Sequence, residues 1–148
     1  MRHDEHGYYN GAADDEVAAG TRLGIDIWAG RGIVGRAVLI DLPRHLDSIG
    51  RPQLDHLGAE TFPVGLLGDA LVAQGTRREH GDVVLIRTGW LGVNLEASDP
   101  FAGGLRCAGL LQSHETLAWL WDTQVSLIAA DNAAVESFPP GPASELHA

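Results

Sequence analysis

The sequence predicts a mixed α/β (α+β) fold, because short apolar runs of strand length alternate with segments of helical periodicity. Three such runs, at 37–40, 83–86 and 125–131, are apolar and bounded by glycine, aspartate or proline. Two longer segments, 63–75 and 113–122, space their apolar residues as helices do. With 148 residues, the chain is expected to form one domain, 1–148, with its own core.

The first sixty residues are expected to contain one strand between two less regular segments. Residues 1–22 are polar and rich in glycine, which indicates a loop with one turn of helix around 14–19. The run Ala37-Val38-Leu39-Ile40 predicts a buried strand. Residues 43–60 carry two prolines and two glycines, a pattern that predicts an irregular segment.

The remaining elements have clear boundaries in the sequence. Gly75 follows the helical segment 63–75 at the position of a C-terminal cap. Gly81-Asp82 predicts a turn before the clearest strand, and Ser113 is a candidate N-cap for the second helix. Residues 125–131 predict a third buried strand that ends at Asp131-Asn132, and a proline-rich tail follows.

Composition and charge exclude several classes of function. The net charge is −10, and all ten basic residues are arginines set against twenty acids, so binding to a nucleic acid is disfavoured. No apolar run approaches the roughly 20 residues that span a bilayer, so a membrane partner is not expected. The single cysteine, Cys107, cannot form an intramolecular disulfide, which favours a reducing cytoplasm.

Residues 30–35, Gly-Arg-Gly-Ile-Val-Gly, match the G-x-G-x-x-G pattern of dinucleotide-binding proteins. That pattern binds a pyrophosphate only where a strand turns into a helix. Here the glycines precede the apolar run at 37–40, so we interpret them as a turn before a strand. A nucleotide-binding module through 30–35 remains the competing hypothesis.

The histidines are weak candidates when each is taken by itself. His3 and His6 have the spacing of one helical turn and could hold a metal, but a solvated polar loop is the simpler interpretation. His147 lies one residue from the end of the chain, where disorder is normal. Four others are isolated in surface-like contexts and are expected to be structural or exposed: His45, His56, His80 and His114.

Two strand ends carry polar residues. Asp131-Asn132 follows a buried strand, where α/β folds present functional side chains, although an Asx turn explains the pair equally well. Residues 87–90, Arg-Thr-Gly-Trp, also end a strand, and we favour a Thr-Gly turn with a core tryptophan over a site. Cys107 has no local partner that marks a nucleophile and is interpreted as a small core residue.

The chain contains, in this order, the stretches RHDEHGYYNG, RLGIDIWAGRGIVGRAVLIDLPRHL, GDVVLIRTGWL and WLWDTQVSLIAADNAAVESFP. Together these four stretches resemble the cyclase family that includes kynurenine formamidases and isatin hydrolases. The resemblance implies a metal-dependent hydrolase of amide bonds, acting on aryl formamides or lactams and assembling as dimers or tetramers. The fold that it implies is a swivelling β/β/α arrangement with a mixed, barrel-like sheet.

The chain departs from the family pattern at both ends. The family's H-x-G-T-H-x-D-x-x-x-H segment, whose His and Asp bind manganese or zinc, is expected immediately upstream of Met1, so the reading frame is interpreted as truncated. At the other end the family continues past a Leu-His pair, matched here by Leu146-His147. We therefore expect exposed apolar surface where the absent segments pack.

The resemblance also assigns roles to residues of this chain. His147 lines up with a catalytic or metal-binding histidine of the family. Six further residues are expected to flank the pocket: His3, His6, Tyr8, Tyr9, Asp131 and Asn132. The alternative is a catalytically inactive, truncated domain without a metal that has a structural or subunit-interaction role.

Overall fold

The structure is a computed structural model and describes residues 8–95 and 104–141. The chain divides into two compact units, Met1–Val34 and Gly35–Ala148. No helix in the described ranges is both long enough and apolar enough to cross a membrane.

The first unit contains a 3-10 turn, Tyr9–Gly11, and two short helices, α1 (Asp14–Ala18) and α2 (Asp26–Arg31). The Glu16 carboxylate accepts a hydrogen bond from the Ala13 amide at 2.9 Å and so caps α1. This helix is the turn predicted around 14–19, which is confirmed. Helix α2 was not predicted. It has six residues, includes a glycine, and has no side-chain cap at its N-terminus, so its sequence carries no helical signal.

The second unit holds most of the regular structure. In chain order its elements are β1 (Ala37–Asp41), α3 (Leu42–Ser48), β2 (Thr61–Phe62), α4 (Gly65–Gln74), β3 (Val83–Arg87), α5 (Trp90–Leu95), β4 (Gly109–Leu110), α6 (His114–Asp122) and β5 (Leu127–Ala130).

Residues 30–35 lead into a strand, as the sequence indicates. Helix α2 ends at Arg31, Gly32 adopts a positive φ of 72°, and β1 begins at Ala37. The element that follows these glycines is thus a strand, which has no helix N-terminus to present to a pyrophosphate. The nucleotide-binding hypothesis is therefore wrong.

The three predicted strands form one parallel sheet in the order β1-β3-β5. The register aligns Leu39 with Leu85 and Ala129, and it aligns Asp41 with Arg87. Alternate residues of β1 and β3 point into the main core, where α3 and α4 contribute buried leucines. These buried strand residues are Val38, Ile40, Val84 and Ile86.

Helix α3 (Leu42–Ser48) overlaps the segment 43–60, for which irregular structure is expected, so that expectation is wrong for residues 43–48. The Asp41 carboxylate accepts a hydrogen bond from the Arg44 amide at 3.1 Å and caps the helix. Pro43 occupies the first turn, where its missing N–H costs nothing. Here proline marks the start of a helix, not a break.

The other two predicted helices are confirmed. Helix α4 ends at Gln74 and is capped by Gly75, which has a left-handed conformation. The Gly75 amide donates back to the Leu71 and Val72 carbonyls. Helix α6 begins after Ser113, whose hydroxyl accepts a hydrogen bond from the Thr116 amide at 3.2 Å.

A second, two-stranded parallel sheet pairs β2 with β4. A Cβ on Gly109 would collide with the backbone of Glu136, so only glycine allows this close approach. Cys107, just before β4, is fully buried, which agrees with its assignment as a small core residue. The α/β class is confirmed, and within the described residues the two sheets are open and form no closed barrel.

Candidate functional site

Asp131, immediately after β5, lies at the centre of a polar cluster at the carboxyl edge of the three-stranded sheet. Its Oδ1 accepts hydrogen bonds from the Thr88 amide at 2.6 Å and the Thr88 hydroxyl at 2.8 Å. Its Oδ2 accepts one from the Gly89 amide at 3.1 Å. One carboxylate thus fixes the loop that leaves β3 against the end of β5.

Thr88 is the buried partner in this cluster, with 2% of its surface exposed. Besides donating to Asp131, its hydroxyl accepts a hydrogen bond from the Trp90 amide at 3.2 Å. Gly89 has a φ of 90°, and a Cβ there would lie 3.2 Å from Cγ of Pro43, so the turn requires glycine. The predicted Thr-Gly turn is present and meets Asp131 from a position 43 residues earlier in the chain. Trp90 is half-buried, so the core tryptophan predicted with this turn is wrong.

Asn132 fixes a different part of the same edge. Its side-chain amide donates to the Ala108 carbonyl at 2.5 Å, and its Oδ1 accepts from the Ala133 amide at 3.0 Å. The two neighbouring side chains, Asp131 and Asn132, therefore hold the segments before α5 and before β4, respectively. The Asn132 contact with the next amide is the local one that the Asx interpretation expects. Asp131 instead bonds amides 42 and 43 positions away, so that interpretation is wrong for Asp131. A role of either residue in binding a ligand stays a prediction.

A charged pair lies on the same edge of the sheet. The Arg87 guanidinium contacts the Asp41 carboxylate at 2.7 Å across the β1-β3 pair. Since the same oxygen of Asp41 also caps α3, one carboxylate joins the strand, the helix and the guanidinium.

His56 is buried beside this cluster, which its sequence context did not indicate. Only 6% of its surface is exposed, and its Nδ1 has no hydrogen-bond partner among the described residues. Burial lowers the pKa of the imidazole, against the opposing effects of the Thr88 backbone and the Asp131 charge. His45 is buried as well, so both histidines take the structural alternative of the prediction in spite of their surface-like sequence context. His80 and His114 take the exposed alternative.

A cleft of about 390 Å³ opens on the sheet next to Asp131. Its walls are mainly apolar, with Arg87 and Asp131 as the charged residues. The lining residues are Leu39, Leu85, Ile86, Arg87, Leu91, Ala129, Ala130 and Asp131.

Most of the other predicted site residues fall elsewhere. His3, His6 and His147 lie outside the described residues. Tyr8 is half-buried and Tyr9 is 81% exposed, both in the first unit. The predicted site residues that the structure places together are thus Asp131 and Asn132, and it adds Thr88, Arg87, Asp41 and His56 around them.

The described residues do not fit a divalent metal. Within 8–95 and 104–141 no three His, Cys, Asp or Glu side chains are grouped so that they could share an ion. Asp131, the carboxylate at the centre of the cluster, has both oxygens engaged by Thr88 and Gly89. These contacts give Asp131 a structural role, in which its carboxylate holds Thr88 and Gly89 in place; we call this arrangement the Asp131 clamp.

The fold and the edge cluster define an α/β protein with parallel sheets, in which loops at the strand ends are tied together by acidic side chains. The family described as "Putative cyclase" matches residues 15–137, and the chain belongs to this Cyclase family. This confirms the resemblance noted in the sequence.

A solved structure supports the same assignment. It is the crystal structure of a novel cyclase, 26% identical in sequence, with a TM-score of 0.68. The similarity covers 94% of this chain but 46% of that one, so the chain spans about half the length of the solved cyclase. No curated protein matches the chain.

Proposed function

We propose that this chain is part of a metal-dependent hydrolase of amide bonds, similar to an arylformamidase and active in a longer form. The observation that carries the proposal is the match to the Cyclase family over residues 15–137. The cytoplasmic location predicted from the single cysteine and assembly into a homo-oligomer belong to the same proposal.

The substrate class that we propose is an aryl formamide or a cyclic amide such as a lactam. In this proposal the metal, manganese or zinc, is held by residues outside those described, and His147 is a ligand or an acid–base group. His3, His6, Tyr8 and Tyr9 flank the pocket. Asp131 and Thr88 support the site by holding the loop after β3 in one conformation.

A hydrolysis assay tests this proposal. We expect a longer polypeptide, extended in frame to the length of the solved cyclase, to hydrolyse an aryl formamide or an isatin-type lactam when Mn²⁺ or Zn²⁺ is added. His147→Ala is expected to abolish turnover, and His80→Ala, which removes an exposed histidine of the described chain, is the matched control. No turnover of any substrate in the panel would reject the proposal.

A second candidate function is a non-catalytic domain that acts in structure or subunit interaction. The observation that favours it is the engagement of the Asp131 carboxylate, whose two oxygens are bonded to Thr88 and Gly89. Measuring the metal content of the 148-residue protein after dialysis tests this alternative. Tightly bound metal at one ion per chain would reject the non-catalytic alternative.

A further inference from the structure

Among residues 35–95 and 104–141, nothing covers one face of the three-stranded sheet. Val84 and Ile86 point into the core, whereas Leu39 is 52% exposed and Leu85 is 36% exposed on the other side. Leu91 of α5 borders the same face and is 46% exposed. Parallel sheets in proteins are almost always covered on both faces, so this surface is of the kind that another layer covers.

The open face has a defined chemical layout. Leu39, Leu85 and Ala129 form one apolar row across the three strands. The next aligned pair toward the carboxyl edge is Asp41 and Arg87, joined by their ion pair. A covering element therefore meets an apolar strip that ends in charges already neutralised within this chain.

The free edge of β1 is a poorer place for a partner than the face. The Gln74 side chain accepts a hydrogen bond from the Asp41 amide at 2.8 Å and donates one to the Leu39 carbonyl at 2.8 Å. A residue on a fourth parallel strand would bind this same pair of groups. The Gln74 side chain thus occupies the position of an added strand and prevents another strand from pairing with this edge.

The length of the solved cyclase indicates what covers the face. Because this chain spans 46% of the solved chain, more than half of that cyclase has no counterpart here. A second copy of the present chain is the competing occupant, and it would show itself as protection that depends on protein concentration. An anionic membrane surface is disfavoured, because the chain carries a net charge of −10.

We infer that the open face of the β1-β3-β5 sheet is the surface on which the remaining part of a cyclase chain packs. The inference rests on the proposed function in one respect, namely that the protein acts as part of a longer cyclase. The covering layer contacts Leu39, Leu85 and Leu91 and leaves the edge contacts of Gln74 in place.

Labelling of an introduced thiol tests the inference. The Leu85→Cys protein is treated with a charged, membrane-impermeant maleimide, both as the 148-residue chain and in the longer polypeptide. Val72→Cys is the matched control, because Val72 is 83% exposed on α4, which packs on the other face of the sheet. The native Cys107 is fully buried and is expected to stay unlabelled.

We expect labelling of L85C to be at least about tenfold slower in the longer polypeptide, since a covered thiol reacts only through local opening. Labelling of V72C is expected to be equal in both. Equal labelling of L85C in the 148-residue chain and in the longer polypeptide would overturn the inference. Protection in the 148-residue chain that grows with its concentration would also overturn it, because that result identifies a second copy as the occupant. Leu39→Cys provides a second reporter at a more exposed position should L85C fail to fold.

The labelling experiment uses no substrate, so it is independent of the hydrolysis assay. Protection of L85C without any amide hydrolysis keeps the inference and rejects the proposed function. Hydrolysis by the longer polypeptide with L85C freely labelled rejects the inference alone.

Discussion

Replacement of Asp131 by alanine is expected to destabilise the protein strongly, because it removes three hydrogen bonds at once. The carboxylate accepts from the Thr88 amide at 2.6 Å, the Thr88 hydroxyl at 2.8 Å and the Gly89 amide at 3.1 Å. Hydrogen bonds to charged groups contribute about 1.5–3 kcal/mol each when buried. Since Asp131 is half-buried and the Thr88 hydroxyl can rotate to another partner, we expect a loss of about 3 kcal/mol.

Asp131→Asn removes the charge together with one of the three acceptor interactions. Its Oδ1 can keep both bonds to Thr88, but its amide nitrogen then faces the Gly89 N–H, so one donor loses its acceptor. We expect this substitution to cost about 1–2 kcal/mol, less than alanine does. Asp69→Ala, an exposed aspartate on α4, is the control and is expected to change stability by less than about 0.5 kcal/mol.

Urea unfolding followed by tryptophan fluorescence measures these differences as shifts of the midpoint at unchanged slope. Thr88→Val in a double-mutant cycle with Asp131→Ala is expected to give a combined loss smaller than the sum of the single losses, because the two residues share a hydrogen bond. A decrease of less than about 1 kcal/mol in the free energy of unfolding of Asp131→Ala would refute the structural role of Asp131, because removing an acceptor of three hydrogen bonds must have a larger effect.

Three further predictions concern other contacts of the second unit. Burial lowers the pKa of His56 below its ordinary 6.5, so the unfolded chain takes up the proton first as the pH drops. The free energy of unfolding is therefore expected to fall from pH 6.5 down through the lowered folded-state pKa. Urea titrations at several pH values measure this, and His56→Gln should remove this part of the pH dependence whereas His80→Gln should not. Gln74→Ala is expected to cost about 1–2 kcal/mol and to speed hydrogen exchange at the Asp41 amide, and unchanged exchange there would contradict the edge contact. Ser113→Ala is expected to cost about 1 kcal/mol through loss of the cap on α6, with thermal unfolding as the measurement and an unaltered midpoint as the contrary result.

The strands of the main sheet were predictable because each is a short, nearly continuous apolar run. Runs of this kind are typical of parallel strands buried in a sheet. The turn residues Gly81-Asp82 indicate where β3 begins, and Asp131-Asn132 indicate where β5 ends. The caps of α4 and α6 were predictable because Gly75 and Ser113 act on backbone groups within one helical turn. These signals are local, so the sequence displays them.

Features that depend on distant residues could not be predicted in this way. Asp131 meets Thr88 across 43 positions, and each residue separately resembles an ordinary turn. His56 is buried by elements that are remote in sequence, so its surroundings give no sign of its low exposure. Helix α3 was missed for a different reason, because Pro43 is compatible both with a break and with the first turn of a helix.

Amide hydrolysis by the longer polypeptide is the decisive assay for the proposed function. The rate with an aryl formamide is measured with and without added Mn²⁺ or Zn²⁺, beside the 148-residue chain under the same conditions. We expect metal-dependent turnover in the longer polypeptide that His147→Ala abolishes. Turnover that is absent across aryl formamides and lactams, or that is unaffected by removing the metal, would contradict it.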